Sequence, residues 1–224
     1  MAAVHISGFQ KFLSHLGDIC LESISTPFHP VLKLYLSRGE FKLVSHGAIY
    51  SYGLHYYHFV EAFHRLRLRD RSLQKALVLG LGFGSIPRIL EKKFGIALST
   101  DIVEIDQGII GLFEKYRNQV CSARSVVFCA DGVEFLCGAP HRYDLICMDI
   151  FEDRIVPAAF EREGFLRDLS RALSPGGLLL YNRLNVTLED QKANENFLSD
   201  FRKVFPDGYA LKLAYNWILV AEAP

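Results

Sequence analysis

Four groups of residues carry the chemistry of this chain, and each closes an apolar run. Gly80, Gly82 and Gly84 follow the run 76–79. Glu104 ends the run 99–103, twenty residues after Gly84. Asp131 and Gly132 follow 125–129, and Asp149 closes 143–148. Closely spaced glycines after a buried strand permit a sharp turn into a helix and let a ligand approach the backbone without a Cβ in the way. A carboxylate ending the next strand can accept hydrogen bonds from both hydroxyls of a ribose. Together they predict a nucleoside site, with Ile105 and Val133 as apolar walls and Asp131 placed to accept from an amino group of the base. Asp131-Gly132 also reads as a turn, and Asp106 also reads as a helix cap before Gln107.

The glycine spacing narrows the nucleoside. A dinucleotide fingerprint carries a third glycine where Ser85 stands. The pattern here is G-x-G-x-G, typical of S-adenosylmethionine-type sites, which hold no pyrophosphate. Ser85 and the lack of an obvious Tyr-x-x-x-Lys proton donor disfavour a nicotinamide-dependent oxidoreductase. Asp149, followed by Glu152 and Asp153, can orient an attacking amine and take its proton. A sulfonium donor needs little beyond positioning, desolvation and one such base.

These residues need elements to hold them. From Lys75 onward, strand and helix patterns alternate, as in a parallel sheet with helices on both faces. Strands are expected at 76–79, 99–103, 125–129, 143–148, 178–181, 209–213 and 217–221. Helices are expected at 85–93, 107–116, 160–173 and 189–204, with a short one ending at Cys137. In such sheets ligands bind beyond the carboxyl ends of the strands, so the four groups form one crevice. Ahead of this unit, 54–66 reads as a helix, and 31–36, 41–45 and 48–52 read as a small antiparallel sheet. Turns at 38–40 and His46-Gly47 separate its strands. Residues 1–30 are mixed, with a short helix near 8–16 and a loop around Pro27 and Pro30. The expected division is an N-terminal segment 1–53 and a catalytic domain 54–224.

Composition sets limits. The 224 residues are half apolar, and 25 basic residues balance 25 acidic ones. Nothing in that balance points to nucleic acid or an anionic membrane. No apolar run approaches the length of a bilayer span, and 1–17 lack the basic start and apolar core of a secretory signal. Five cysteines (Cys20, Cys121, Cys129, Cys137, Cys147) include no C-x-x-C pair, and His55 and His58 lack an evident third ligand. The expectation is a cytoplasmic, metal-free protein. The aromatic residues Tyr50, Tyr56, Tyr57, Phe83 and Phe151 either line an acceptor pocket or pack the core.

From Lys42 to about Tyr181 the sequence resembles the spermidine synthase family of class I S-adenosylmethionine-fold transferases. The resemblance rests on Leu43 to Tyr50, Tyr57-His58, the Gly80–Gly84 loop, Val103 to Asp106, Ala130-Asp131-Gly132 and Tyr143 to Asp149. Phe165-Leu166 and Leu173 to Gly177 also match. It implies a Rossmann-like fold with a mostly parallel seven-stranded sheet and a small N-terminal antiparallel region. It also implies ribose binding by Glu104, adenine binding by Asp131, catalysis by Asp149 with Glu152 and Tyr57, and a homodimer. The cofactor would be S-adenosylmethionine or its decarboxylated form, held by Gly80, Gly82, Phe83, Gly84, Glu104, Ile105, Asp131, Gly132 and Asp149.

One departure bears on the donor. Family members that transfer an aminopropyl group carry an aspartate in the loop G-G-D-G-G, facing the donor's amine; here Phe83 occupies that position. Each charged hydrogen bond is worth roughly 1.5–3 kcal/mol, so the change favours ordinary S-adenosylmethionine. The expected activity is methyl transfer to an amine or other small nucleophile. Alternatives are aminopropyl transfer, for which Asp149 and Glu152 keep an acidic acceptor pocket suited to a polyamine, and a non-catalytic nucleoside-binding or dimerisation module.

Overall fold

The computed structural model describes residues 4–45, 48–120, 124–137 and 142–224; the expected His46-Gly47 turn and Cys121 fall outside them. The N-terminal sheet has four antiparallel strands, β1 (Ile19–Ile24), β2 (Leu32–Ser37), β3 (Glu40–Ser45) and β4 (Ala48–Ser51), in that spatial order. Three were expected. β1 escaped notice because Cys20, Glu22 and Ser23 interrupt its apolar alternation, and no residue of it is fully buried. Helix α1 (Gly8–Leu13) precedes it, opened by a reciprocal Ser7–Gln10 capping box. Arg38 and Gly39, both at positive φ, make the two-residue turn between β2 and β3.

A 3₁₀ turn at Gly53–His55 leads into α2 (Tyr57–Arg65), so the helix expected from residue 54 starts three residues later. Then come β5 (Lys75–Leu79), α3 (Ser85–Phe94), β6 (Ser99–Glu104), α4 (Gln107–Val120), β7 (Ser125–Cys129), α5 (Gly132–Cys137) and β8 (Tyr143–Met148). The expected helix 160–173 is two, α6 (Ala158–Glu161) and α7 (Glu163–Ala172), because Arg162 is extended. β9 (Leu173–Leu184) starts five residues before the expected strand and carries Pro175-Gly-Gly177 through a register shift against β8. The chain closes with α8 (Leu188–Val204), β10 (Tyr209–Lys212) and β11 (Asn216–Glu222).

The large sheet has the order β10-β11-β9-β8-β5-β6-β7, parallel from β9 to β7 and antiparallel at β10 and β11. It is the expected mostly parallel seven-stranded sheet. From β5 the chain steps outward through β6 and β7, then returns to the other side of β5 as β8. Connections therefore diverge at the β5–β8 boundary, which opens the crevice there.

Period-2 alternation divides the core. Val78 and Leu145 face one cluster, with Phe83, Ile109, Phe113 and Tyr116. Leu77, Leu79, Ile146 and Met148 face the other, with Phe160, Leu169, Phe197 and Phe201. Leu32, Leu34, Leu36 and Leu43 of the small sheet belong to the first cluster. At roughly 1.5–3 kcal/mol per buried large side chain, these four leucines fix the small sheet against the large one, and with it the strand β4 that borders the crevice. Cys20, Cys129 and Cys137 are exposed and Cys147 is buried, all as free thiols. Among the described residues no helix is long and apolar enough to cross a membrane, and no cluster of three metal-ligating side chains occurs.

Candidate active site

A crevice of about 1630 Å³ opens beyond the carboxyl ends of the parallel strands. A pocket for one drug-sized ligand typically measures ~300–1,000 Å³, so this one has room for two reactants. Gly80, Gly82, Glu104, Ile105, Asp131, Gly132, Asp149, Glu152 and Tyr57 all line it.

Glu104, at the end of β6, accepts from the Leu81 amide at 3.1 Å and the Asp106 amide at 2.9 Å. The glycine loop thus holds one oxygen of this carboxylate through Leu81, and the turn after β6 holds the other through Asp106. Burial raises its pKa against the pull of these amides. Asp106 is buried and accepts from Gly108 N at 2.8 Å and from the Thr26 hydroxyl at 2.5 Å. It caps α4 and ties it to the N-terminal segment. Asp131 Oδ1 accepts from Val133 N and Glu134 N, capping α5, while the residue also lines the crevice. Val133 itself packs into the second core cluster. Ile150 and Phe160 stand against Gly132 in the crevice wall.

The glycines make room chiefly for the protein's own chain. A Cβ on Gly80 (φ +94°) would stand 2.5 Å from the Asp149 carbonyl oxygen, and one on Gly82 would stand 2.9 Å from that of Tyr50. The loop is therefore wedged between β8 and β4, and the missing Cβ atoms bring Asp149 close to it. Gly84 faces Val120 and Phe113, away from the crevice. The Phe83 ring is buried too, 5.3 Å from Phe41 and 6.1 Å from Phe113 between centroids. Neither residue belongs to the crevice lining, because the turn into α3 points them at the core.

Asp149 lies at the centre. Its Oδ2 accepts from the Tyr56 hydroxyl at 3.0 Å and its Oδ1 from Asn182 Nδ2 at 2.8 Å. Burial nevertheless lifts its pKa to about 7, outweighing both bonds. Burial, reinforced by the Asp149 charge, raises the Tyr56 phenol well above its ordinary value, so it remains a donor. Burial also lowers His58 to about 3, leaving a neutral ring whose Nε2 sits 3.2 Å from Asn182 Nδ2. Asn216 Nδ2 donates to Asn182 Oδ1 at 2.9 Å.

The phenol at Asp149 is thus Tyr56. Tyr57, at the start of α2, points outward at the crevice mouth, 61% exposed, with its hydroxyl 3.1 Å from His55 Nδ1. Glu152 is exposed on the loop after β8, bridged to Ile155. The same loop is pinned to β4 where Asp153 N donates to Tyr50 Oη at 2.9 Å. Burial raises the Tyr50 phenol, and the nearby charges of Asp153, Glu152 and Glu104 raise it further. Asn182 and Asn216 were not among the expected site residues. The rule that singles out Asp149, a polar residue closing an apolar strand pattern, also fits Asn182 after 178–181.

A family model described as the spermine/spermidine synthase domain matches residues 56–216. A probable polyamine aminopropyl transferase of Bifidobacterium longum is 30% identical over 141 residues, covering 62% of this chain and 31% of that protein. The eEF1A lysine and N-terminal methyltransferase of Homo sapiens is 29% identical over 149 residues, covering 61% of this chain and 21% of that protein. The chain thus spans about a third or less of the length of these two curated relatives. A spermidine synthase crystallised with the transition-state analogue AdoDATO shares the fold, with a TM-score of 0.73 at 15% identity over 92% of this chain and 74% of that one.

Proposed function

The chain belongs to the spermine/spermidine synthase domain family, and from that premise we propose that it transfers an aminopropyl group from decarboxylated S-adenosylmethionine to an amine. The observation that carries this reading is Asp149, a half-buried carboxylate with a pKa of about 7, hydrogen-bonded on both oxygens and wedged against the glycine loop. A general base works best when its pKa lies near the operating pH. In the proposed step the amine nitrogen attacks the carbon bonded to the sulfonium. The carbon–nitrogen bond forms as the carbon–sulfur bond breaks, and that electron pair leaves a neutral thioether. The proton lost by nitrogen passes to Asp149.

Glu104 would hold the ribose, Asp131 and Ile105 would border the base, and Gly80 and Gly82 would give the donor its close approach to the backbone. Glu152 and Asp153, which line the same crevice, would offer negative charge to an ammonium bound there. The expectation of methyl transfer drawn from Phe83 has less support: the relatives named for aminopropyl transfer outnumber those named for methyl transfer. Polyamines, to which those names refer, come first among acceptors to try.

One observation favours methyl transfer from ordinary S-adenosylmethionine as a second reading. Phe83 fills the position of the amine-facing aspartate with a ring that turns into the core. The test offers both donors together to the purified protein with an amine acceptor, and product masses are read. An aminopropylated product supports the first reading, and a methylated product the second. Neither product, with either donor bound, would leave only a binding module.

A further inference from the structure

Tyr56 reaches Asp149 across 93 positions of sequence, so the fold must set where its phenol stands. The segment leading to it is the end of β4 and the 3₁₀ turn at Gly53–His55. Two side chains of α3 hold that segment.

The first is Ser85, the opening residue of α3, which is buried. Its hydroxyl lies 2.6 Å from that of Ser51 and accepts from Tyr52 N at 3.1 Å. The second is Arg88, which donates to both carboxylate oxygens of Glu40 in β3, at 2.8 and 3.0 Å. It also donates to the Gln119 carbonyl at the end of α4, at 2.9 Å. Only 16% of the Arg88 side chain and 12% of that of Glu40 are exposed, so water and salt weaken the pair little. Glu40 Oε2 in turn accepts from Leu54 N at 3.3 Å, inside the 3₁₀ turn. Gly53 lies so close that a Cβ there would stand 2.2 Å from the same oxygen.

The glycine loop opens into α3, and Gly80 of that loop lies against the Asp149 carbonyl. Both ends of the Tyr56–Asp149 hydrogen bond are thus referred to one loop and its helix. Asp149 meets the loop directly, and Tyr56 is tied to the helix through Ser85 and Arg88–Glu40.

We infer that Ser85 and the Arg88–Glu40 pair are positioning residues for the base, fixing the 3₁₀ turn so that the Tyr56 phenol donates to Asp149. The inference rests on the transfer reading, in which Asp149 is that base. The groups facing this carboxylate are Tyr56 at the start of α2, Asn182 of β9 with His58 behind it, and Cys147 on its own strand. Tyr56 is the one that directly follows the turn. Loosening the turn takes a donor from the anion, so the carboxyl should keep its proton to higher pH.

The test is carbon-13 NMR titration of the Asp149 carboxyl in the full chain, assigned by its loss in Asp149→Asn. Tyr56→Phe should raise the midpoint by about one to two pH units. Ser85→Ala and Glu40→Ala should raise it in the same direction, and neither should add to the shift once Tyr56→Phe is present. If Glu40→Ala does not fold, Ser85→Ala, which loses one hydroxyl, carries the test. The inference is overturned if the folded variants lose stability with the titration unmoved, or if their shifts add fully to that of Tyr56→Phe. The expected shifts without transfer from either donor would count against the transfer reading alone.

Discussion

Asn182 turns its amide nitrogen, and not its oxygen, toward Asp149. The donation to Oδ1 spans 2.8 Å, and the amide is held in this orientation from both ends. Its Oδ1 accepts from Asn216, and its second N–H faces Nε2 of a His58 that burial keeps neutral. With Tyr56 on the other oxygen, Asp149 has a donor on each side and still titrates near neutrality, because desolvation exceeds both bonds. Elements from α2, β8, β9 and β11 converge to set the proton affinity of one carboxylate.

A pH dependence follows. As a base Asp149 must be ionised, so kcat/KM should rise with pH through about 7 and then level. Asn182→Leu removes a donor that favours the anion, so its rising limb should move to higher pH. Stability runs the other way. The folded pKa stands above the ordinary 3.8, so the folded state binds more protons than the unfolded state between about 4 and 7, and the carboxylate costs stability as pH rises through that window. Asp149→Asn should therefore be more stable than the parent above pH 7, by roughly 1–4 kcal/mol, with the gap closing near pH 4. Rate profiles and chemical denaturation at several pH values check both.

Glu104→Gln tests the donor side. Loss of a charged acceptor is worth roughly 1.5–3 kcal/mol, so donor affinity should fall by about 10- to 150-fold. The affinity of an amine acceptor should stay the same. Calorimetry with each reactant separates the two.

Phe83→Ala tests whether this position acts through packing. The ring is surrounded by Phe41, Phe113 and Tyr116, and emptying such a site costs about 3–5 kcal/mol. Donor affinity at a temperature where the variant is folded should remain within about threefold of the parent. A large loss of donor affinity with little loss of stability would put the ring against the ligand.

Much of this arrangement is legible in the sequence because it is local. Apolar strands ending in Gly80, Glu104, Asp131 and Asp149 declare the parallel sheet and its crevice through adjacent residues. What was not legible depends on contacts between distant elements. The preference of Tyr56 over Tyr57 is set by where α2 begins, and a 3₁₀ turn at 53–55 shifts that start. Asn216 gains meaning only from the pairing that places β11 beside β9. Phe83 looked like a donor-facing residue from its place in the loop, yet the turn at Gly82 and Gly84, both at positive φ, rotates its ring into the core. β9 starts early because its bulge at Pro175-Gly-Gly177 lets a turn-like segment remain paired in the sheet.

The central claim, that Asp149 is the base for transfer from a sulfonium nucleoside to an amine, is tested most directly by methylthioadenosine release. Parent and Asp149→Asn are compared with decarboxylated S-adenosylmethionine and an amine, with donor affinity measured on the same preparations. The account predicts release by the parent and a fall of about 10²–10⁴-fold in the variant, with donor affinity unchanged. Release by the variant within a few-fold of the parent would contradict it.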